Sequence, residues 1–351
     1  MSMNSTIEWT DATWNPVRGC SIVSKGCTNC YAMRQAHRFS GVGKPYEGLT
    51  KLTKGGPVWT GKVRFVHELL DAPLHWRKPR RIFINSMSDL FHEDVDAVSI
   101  GSVLGIAAAC PQHTFQVLTK RPQRMLDILR SEKFLDAYET SEAMYTHNET
   151  PWPPANVWLG VSVEDQASAD ERIPLLLQTP AAVRWISAEP LLGPITLRRE
   201  ISSKSGPTPC APESWEVSDW LSGWRGSLDH KRHGAGHASP GLNWVVAGGE
   251  SGPGARPSHP DWFRSLRDQC AAVGVPYFFK QWGAWLPWGQ NAAALERHRL
   301  QPSPAIRYDE EGDRYSCTSE LLSNPLCQIF NVGKRAAGRV LDGRTHDEYP
   351  A

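Results

Sequence analysis

Residues 81–118 read RIFINSMSDLFHEDVDAVSIGSVLGIAAACPQHTFQVL. Arg81 to Asn85 is a short β-branched run. Val98 to Cys110 is apolar on nearly every face, as a buried helix is, and Thr114 to Leu118 is a second strand-like run. Strand, helix and strand in this order make a βαβ unit, whose two strands lie parallel in one sheet. Polar Asn85, Ser86, Ser88 and Asp89 directly follow the first strand.

The pattern extends in both directions. Upstream, Glu8 to Arg18 supplies a short strand around Thr13 to Asn15, and Val63 to Val66 reads as a strand before a short helical stretch, Leu69 to Trp76. Downstream come a helix from Pro122 to Leu135, a strand over Val157 to Val163, a helix over Ala169 to Gln178, and strands at Val183 to Ile186 and Trp244 to Ala247. A helix from Asp261 to Ala272, stopped by Gly274 and Pro276, leads into Tyr277 to Phe279. Eight strands alternating with helices predict an α/β fold of the (β/α)8 type, closed or a near-closed partial TIM-like barrel; an open doubly wound sheet is the alternative. The barrel is expected over residues 1–285, with a C-terminal extension, 286–351, packed on it. Gly41 to Pro57 reads as a long loop, and 198–241 as a loop-rich insertion whose His230, His233 and His237 have metal-ligand spacing but fit a surface insertion better. The tail from Asn331 to Arg344 is basic (Lys334, Arg335, Arg339, Arg344), as either a solvated helix or a phosphate contact.

A formal charge of +1 excludes a global field toward nucleic acid or acidic membrane. There is no apolar run long enough to cross a bilayer and no signal-peptide pattern, so the expectation is a cytoplasmic protein without membrane partners. Fifteen tryptophans are first of all core filling; some could line a pocket or stack on a base.

Three of the eight cysteines fall in residues 20–30, CSIVSKGCTNC, a C-x6-C-x2-C spacing that puts Cys20, Cys27 and Cys30 on one loop before a helix. Scattered otherwise, the cysteines are no secreted disulfide framework, and this spacing points to metal. Two occupants remain open. One is a structural zinc completed by His37; the other is an iron–sulfur cluster with one iron left free for S-adenosylmethionine (SAM). Polar residues after nearly every apolar run decide that a site is there: His67 and Glu68, the Asn85 to Asp89 group, Thr119 and Lys120, Glu164 and Asp165, Ser187 and Glu189, Gly248 to Ser251, and Lys280 with Gln281. In a parallel barrel these ends converge on one face, the one that receives the cysteine loop. For single members, Glu164, Asp165 and Asp89 above all, a helix cap or salt bridge is the competing reading. Gly248 to Gly254 (GGESGPG) has neither the Lys-Ser/Thr of a P-loop nor a GxGxxG order.

The segments TWNPVRGCSIVSKGCTNCYA, PRRIFINSMSDLFHEDV, VWLGVSVEDQ, WISAEPLLGPI, NWVVAGGESGPGARP, PYFFKQWG and AGRVLDGRTHDEYP together resemble the radical SAM enzymes. The chain is more closely similar to a phage and prophage family described as radical-SAM-like. The resemblance implies a [4Fe–4S] cluster on Cys20, Cys27 and Cys30, SAM on its open iron, and an external flavodoxin- or ferredoxin-like electron donor. It implies Glu68 near the SAM amino group and Asn85, Ser86, Asp89, Lys120, Ser162 and Glu164 as further SAM contacts. Glu189, Glu250 and Lys280 would face a substrate, a nucleic acid base or nucleoside, to which a similarity to DNA-lesion lyases of that superfamily adds. The chain departs from the commonest family pattern in its six-residue first gap, in Asn29 before the last cysteine, and in carrying Gly-Gly-Glu at Gly248 to Glu250 rather than after the second strand. Two other classes stay open: a zinc-stabilised nucleic-acid-binding module, and a hydrolase or lyase acting through Glu189 and Glu250.

Overall fold

The computed structural model describes residues 5–146, 150–202, 215–227, 237–238, 240–290, 306–308, 314–316 and 329–351. Seven strands form one sheet in chain order: β1 (Ala12–Trp14), β2 (Arg81–Ile84), β3 (Thr114–Thr119), β4 (Val157–Ser162), β5 (Val183–Ala188), β6 (Trp244–Gly248) and β7 (Tyr277–Gln281). Every adjacent pair is parallel, and β1 and β7 are the two edges, so the sheet curls into a half-barrel. The partial barrel expected from the sequence is the fold, with seven of the eight expected strands; the one expected at Val63 to Val66 is not in it. Within Val63–Val66, Arg64–Phe65 pairs antiparallel with Val17–Arg18 in a separate ribbon. The physical reason is that β1 takes the free edge of β2 itself, Thr13 opposite Phe83, which leaves no slot between them.

Around the sheet lie α1 (Tyr31–His37), α2 (Ala97–Ala108), α3 (Pro122–Leu129), α4 (Glu132–Ala143), α5 (Gln166–Gln178) and α6 (Pro260–Val273). The single helix expected from Pro122 to Leu135 is two, because Ser131 starts α4 by accepting the Phe134 N–H at 3.3 Å. A Cβ on Gly101 or Gly105 of α2 would stand 2.7 Å from Ala137 Cβ or 2.5 Å from the Tyr138 carbonyl oxygen, so these glycines let α2 and α4 pack backbone to backbone. Two expected loops contain strands. Gly41 to Pro57 runs into a hairpin, Thr50–Thr53 with Gly56–Trp59, and the 198–241 insertion carries a four-stranded antiparallel sheet (Arg198–Ser202, Trp215–Asp219, Trp224–Ser227, His237–Ala238). His230 and His233 lie outside the described residues.

Side chains alternate across the sheet as the pleat requires. Ile82, Ile84, Leu159, Ile186, Val245, Ala247 and Phe279 join the core beneath the helices. Phe83, Trp158, Trp185, Trp244, Val246 and Phe278 fill the concave side with Trp9. Rings there meet edge-on or tilted, Trp9 to Phe83 at 4.7 Å and Trp185 to Trp244 at 5.2 Å between centroids. Gly160 of β4 makes room for this cluster, since a Cβ would come within 2.5 Å of the Trp185 ring.

The C-terminal residues complete the open side. Asp347 bridges to Phe278 on the outer edge of β7, and the Trp244 indole donates to the Glu348 carbonyl at 2.8 Å. Tyr349 lies against Trp244 and beneath the Arg81 guanidinium, and Lys334 pairs with Glu8 at 2.9 Å. Gly160→Ala is expected to destabilise the protein by about 1–3 kcal/mol by overpacking the concave cluster. Trp185→Phe in the same chain should recover much of that loss in thermal denaturation, a non-additivity that separate local defects would not show.

Candidate active site at the strand ends

The C-terminal ends of the strands and the cysteine loop enclose a cavity of ≈ 220 Å³. Cys20, Cys27 and Cys30 line one wall; Asn85, Ser86, Asp89, Lys120, Ser162, Glu189, Glu250 and Lys280 line the others, and Trp9, Phe83 and Leu118 lie on its apolar side. Two expected residues are placed differently. Glu164 stands behind the wall, in contact with Lys120, and Glu68 is exposed on the short turn His67–Leu69 and does not line the cavity.

The cysteines are free thiols. Burial pushes Cys20 up to about 12, with the Asp89 carboxylate adding to the shift, and burial also raises Cys30 despite N–H donation from Ala32 and Met33. Both are protonated at neutral pH unless a metal compensates their charge. Among the described residues no group of three or more His, Cys, Asp and Glu side chains converges as an ion site. His37, the fourth ligand in the zinc reading, instead holds Thr50 Oγ1 at 3.0 Å through Nδ1 and does not line the cavity. Three thiols on one loop, all lining the cavity, are the donor set of a cubane with one open iron, whose ligands bind separate irons.

The loop is tied to the barrel at three places. Ahead of Cys27, Ser24 donates to Glu164 at 2.9 Å, and that buried carboxylate also takes Lys120 Nζ and, at 3.0 Å, Arg172 of α5. After Cys20, the Ser21 hydroxyl accepts from Arg121 Nη2 at 2.6 Å, while Arg121 is held by Asp89 at 2.9 Å and by Glu93 at 2.9 Å. Between Cys27 and Cys30, the Asn29 amide donates to Glu250 at 3.0 Å and to the Gly254 carbonyl at 2.8 Å. Glu250 is forked by Arg256 through Nε at 2.9 Å and Nη2 at 2.5 Å, and Arg256 reaches on to the Lys25 carbonyl at 3.0 Å.

These contacts sort the polar strand ends. Asp165 is the N-cap of α5, in a capping box with Ser168, as the competing reading has it. Asp89 is occupied by Thr119, Arg121 and the Phe91 and Lys120 N–H groups. Glu189 and Lys280 pair with each other across the far wall, both carboxylate oxygens at 2.7 Å from Nζ. Asn85 adopts a left-handed φ of 61° and accepts the Val17 N–H at 3.2 Å, and its amide nitrogen is buried without a partner. Arg121, Arg172 and Arg256 are absent from the residues read off the sequence, and Asn29 is read there only as a departure from the family pattern. Arg121 follows Lys120 directly and had a local signal; Arg256 and Asn29 meet only through the fold.

Burial pushes the carboxyls of Glu164 and Glu250 up, but Lys120 and Arg172 at the first, and Arg256 and Asn29 at the second, outweigh it and hold both below their ordinary 4.5. The unfolded chain therefore takes up protons first as the pH falls, so their stabilisation is complete above the ordinary value and is lost below it. The thermal midpoint is expected to hold above about pH 5.5 and to fall toward about pH 3, less steeply in Glu250→Gln.

A family model described as "Protein of unknown function (DUF5131)" matches residues 4–350. No curated protein matches the chain. Among solved structures, a cysteine-to-serine mutant of spore photoproduct lyase is similar at a TM-score of 0.33 and 12% identity, over 54% of this chain and 48% of that one. The chain thus spans about half the length of that structure, and so partial a likeness carries no argument about the site. The family match covers nearly every residue, and the chain belongs to the DUF5131 family of proteins of unknown function.

Proposed function

We propose that this protein is a radical SAM enzyme, with a [4Fe–4S] cluster on Cys20, Cys27 and Cys30 and SAM in the adjoining cavity. The observation that carries this reading is three thiols of one loop lining a single strand-end cavity, with His37 engaged elsewhere. The resemblance to radical SAM enzymes supports it. When bound, cluster and SAM would supply reductive cleavage to a 5′-deoxyadenosyl radical and hydrogen abstraction from substrate, the electron coming from a flavodoxin- or ferredoxin-like donor.

The chain's own residues would bind, orient and exclude water. Lys120 gives one of its three N–H donors to Glu164, leaving two for an acceptor in the cavity. Asn85 would offer its unpartnered amide beside Ser86 and Ser162. Asp89 and Glu164, whose oxygens are taken, would act through Arg121 and Lys120. The Glu189–Lys280 pair would meet the substrate, a nucleic acid base or nucleoside, while Glu250 would position the cysteine loop through Asn29. Trp9, Phe83 and Leu118 would keep that side of the cavity dry. Among the described residues no helix is long and apolar enough to cross a membrane.

The test is anaerobic purification with iron, sulfide and zinc counted per chain, and spectra with and without SAM. About four irons with matching sulfide, a cluster signal perturbed by SAM, 5′-deoxyadenosine on reduction, and loss of all three in Cys27→Ala are expected. One zinc per chain, no sulfide and no SAM response would overturn the reading and favour a zinc-stabilised module.

A further inference from the structure

The +1 charge of the whole chain conceals a sharp division. Between Asp11 and Glu68 stand nine of the 38 Lys and Arg residues and one of the 37 Asp and Glu, Glu47, so this segment carries +8 and the remainder −7. None of the nine cations forms a salt bridge with a described carboxylate. Glu47 is itself turned to the Gly43 N–H at 2.8 Å. In the basic tail, by contrast, Lys334, Arg339 and Arg344 are paired with Glu8, Asp347 and Glu348, and Arg335 is exposed.

Past β1, the middle of this segment has its own packing. Ala32, Met33 and Ala36 of α1 pack with Tyr46, Leu49 and Trp59 in a small core of their own, against which Cys20 and Cys30 lie. Its inner side is therefore the cysteine wall of the cavity. Lys25, Arg38, Lys44, Lys51, Lys54 and Lys62 are all exposed, on the cysteine loop, just past α1, and before, in and after the hairpin. Among them large apolar groups also face solvent: Phe39 at 46%, Leu52 at 69% and Val42 at 92% exposure.

We infer that this segment is a docking surface for single-stranded nucleic acid, which it holds across the mouth of the cavity. Unpaired cations spread over three elements suit a phosphate backbone, whose binding is driven by counterion release. An exposed aromatic among them gives a base a stacking platform. A single strand is favoured over a duplex because a cavity recessed behind the surface is reached only by a base out of its stack. The inference gives the proposed enzyme its substrate class and rests on that reading for the chemistry alone; binding needs neither cluster reduction nor SAM.

The test is fluorescence anisotropy of a labelled DNA or RNA strand of about 20 nucleotides with the full chain, as salt rises from about 50 to 200 mM. Affinity is expected to fall linearly on a log–log scale. The triple variant Lys44→Glu, Lys51→Glu, Lys54→Glu should bind at least tenfold more weakly, with a slope shallower by about 2. Phe39→Ala should weaken binding roughly tenfold with the slope unchanged. Arg335→Glu, a surface charge reversal outside the segment, should bind as wild type, and thermal melts should show all variants folded. Absence of salt-dependent binding, or equal binding by the folded triple variant, would overturn the inference. So would a triple variant that loses only an acidic ferredoxin, which would make the surface a protein-docking site. Failure of the radical chemistry would appear separately, as strand binding without 5′-deoxyadenosine formation.

Discussion

The site depends on one buried carboxylate. Glu164, at the end of β4, is taken out of water, and a lone buried charge there would be untenable. Lys120 from the next strand over, Arg172 from the following helix and Ser24 from the cysteine loop all turn to it. That requirement joins two barrel strands, one helix and the loop at a single point. A Cβ on Gly26 would stand 2.3 Å from a Glu164 oxygen, so the loop lies directly on the carboxylate and only a residue without a side chain fits between Lys25 and Cys27. Breaking such a buried arrangement from one side is far more damaging than removing a surface pair, because it leaves charge stranded.

Asp89 and Glu250 repeat the device on either side, each acting on the loop through another residue, Arg121 with Ser21 and Asn29 respectively. The loop that carries the three thiols is thus held from three directions. Glu189 and Lys280 differ in kind: they pair only across the cavity wall and tie no loop down. Within one ring of charged strand ends, carboxylates that hold the scaffold can be told from a pair left facing the interior.

Much of this was legible in the chain, for physical reasons. The strands are β-branched and aromatic runs, and because a sheet alternates faces, Ile82-Phe83-Ile84 already encodes one core under the helices and another inside the curl. The cysteine loop announces itself by spacing. Val63–Val66 misleads because a short apolar run has strand propensity wherever it ends up, and its pairing partner is chosen by the tertiary fold. Glu250 looks like a free strand-end carboxylate until Asn29, 221 positions away in sequence, is seen beside it. No local pattern carries that pairing. Glu68 shows the same limit from the other side, a strand-end position inferred from a strand that belongs elsewhere.

A closed barrel has its circumference fixed by an unbroken ladder of backbone hydrogen bonds. In this protein β1 and β7 never pair, and the span between them is crossed by the Lys334–Glu8 contact, the Tyr349 ring and the Asp347 bridge. The molecule therefore has a seam. What spans it is a backbone bridge on the β7 side and side-chain contacts on the β1 side, while every strand-to-strand ladder of the sheet lies elsewhere. Ionic strength weakens Lys334–Glu8 there, and with it the neighbouring exposed pairs Arg81–Asp11 and Arg339–Asp347.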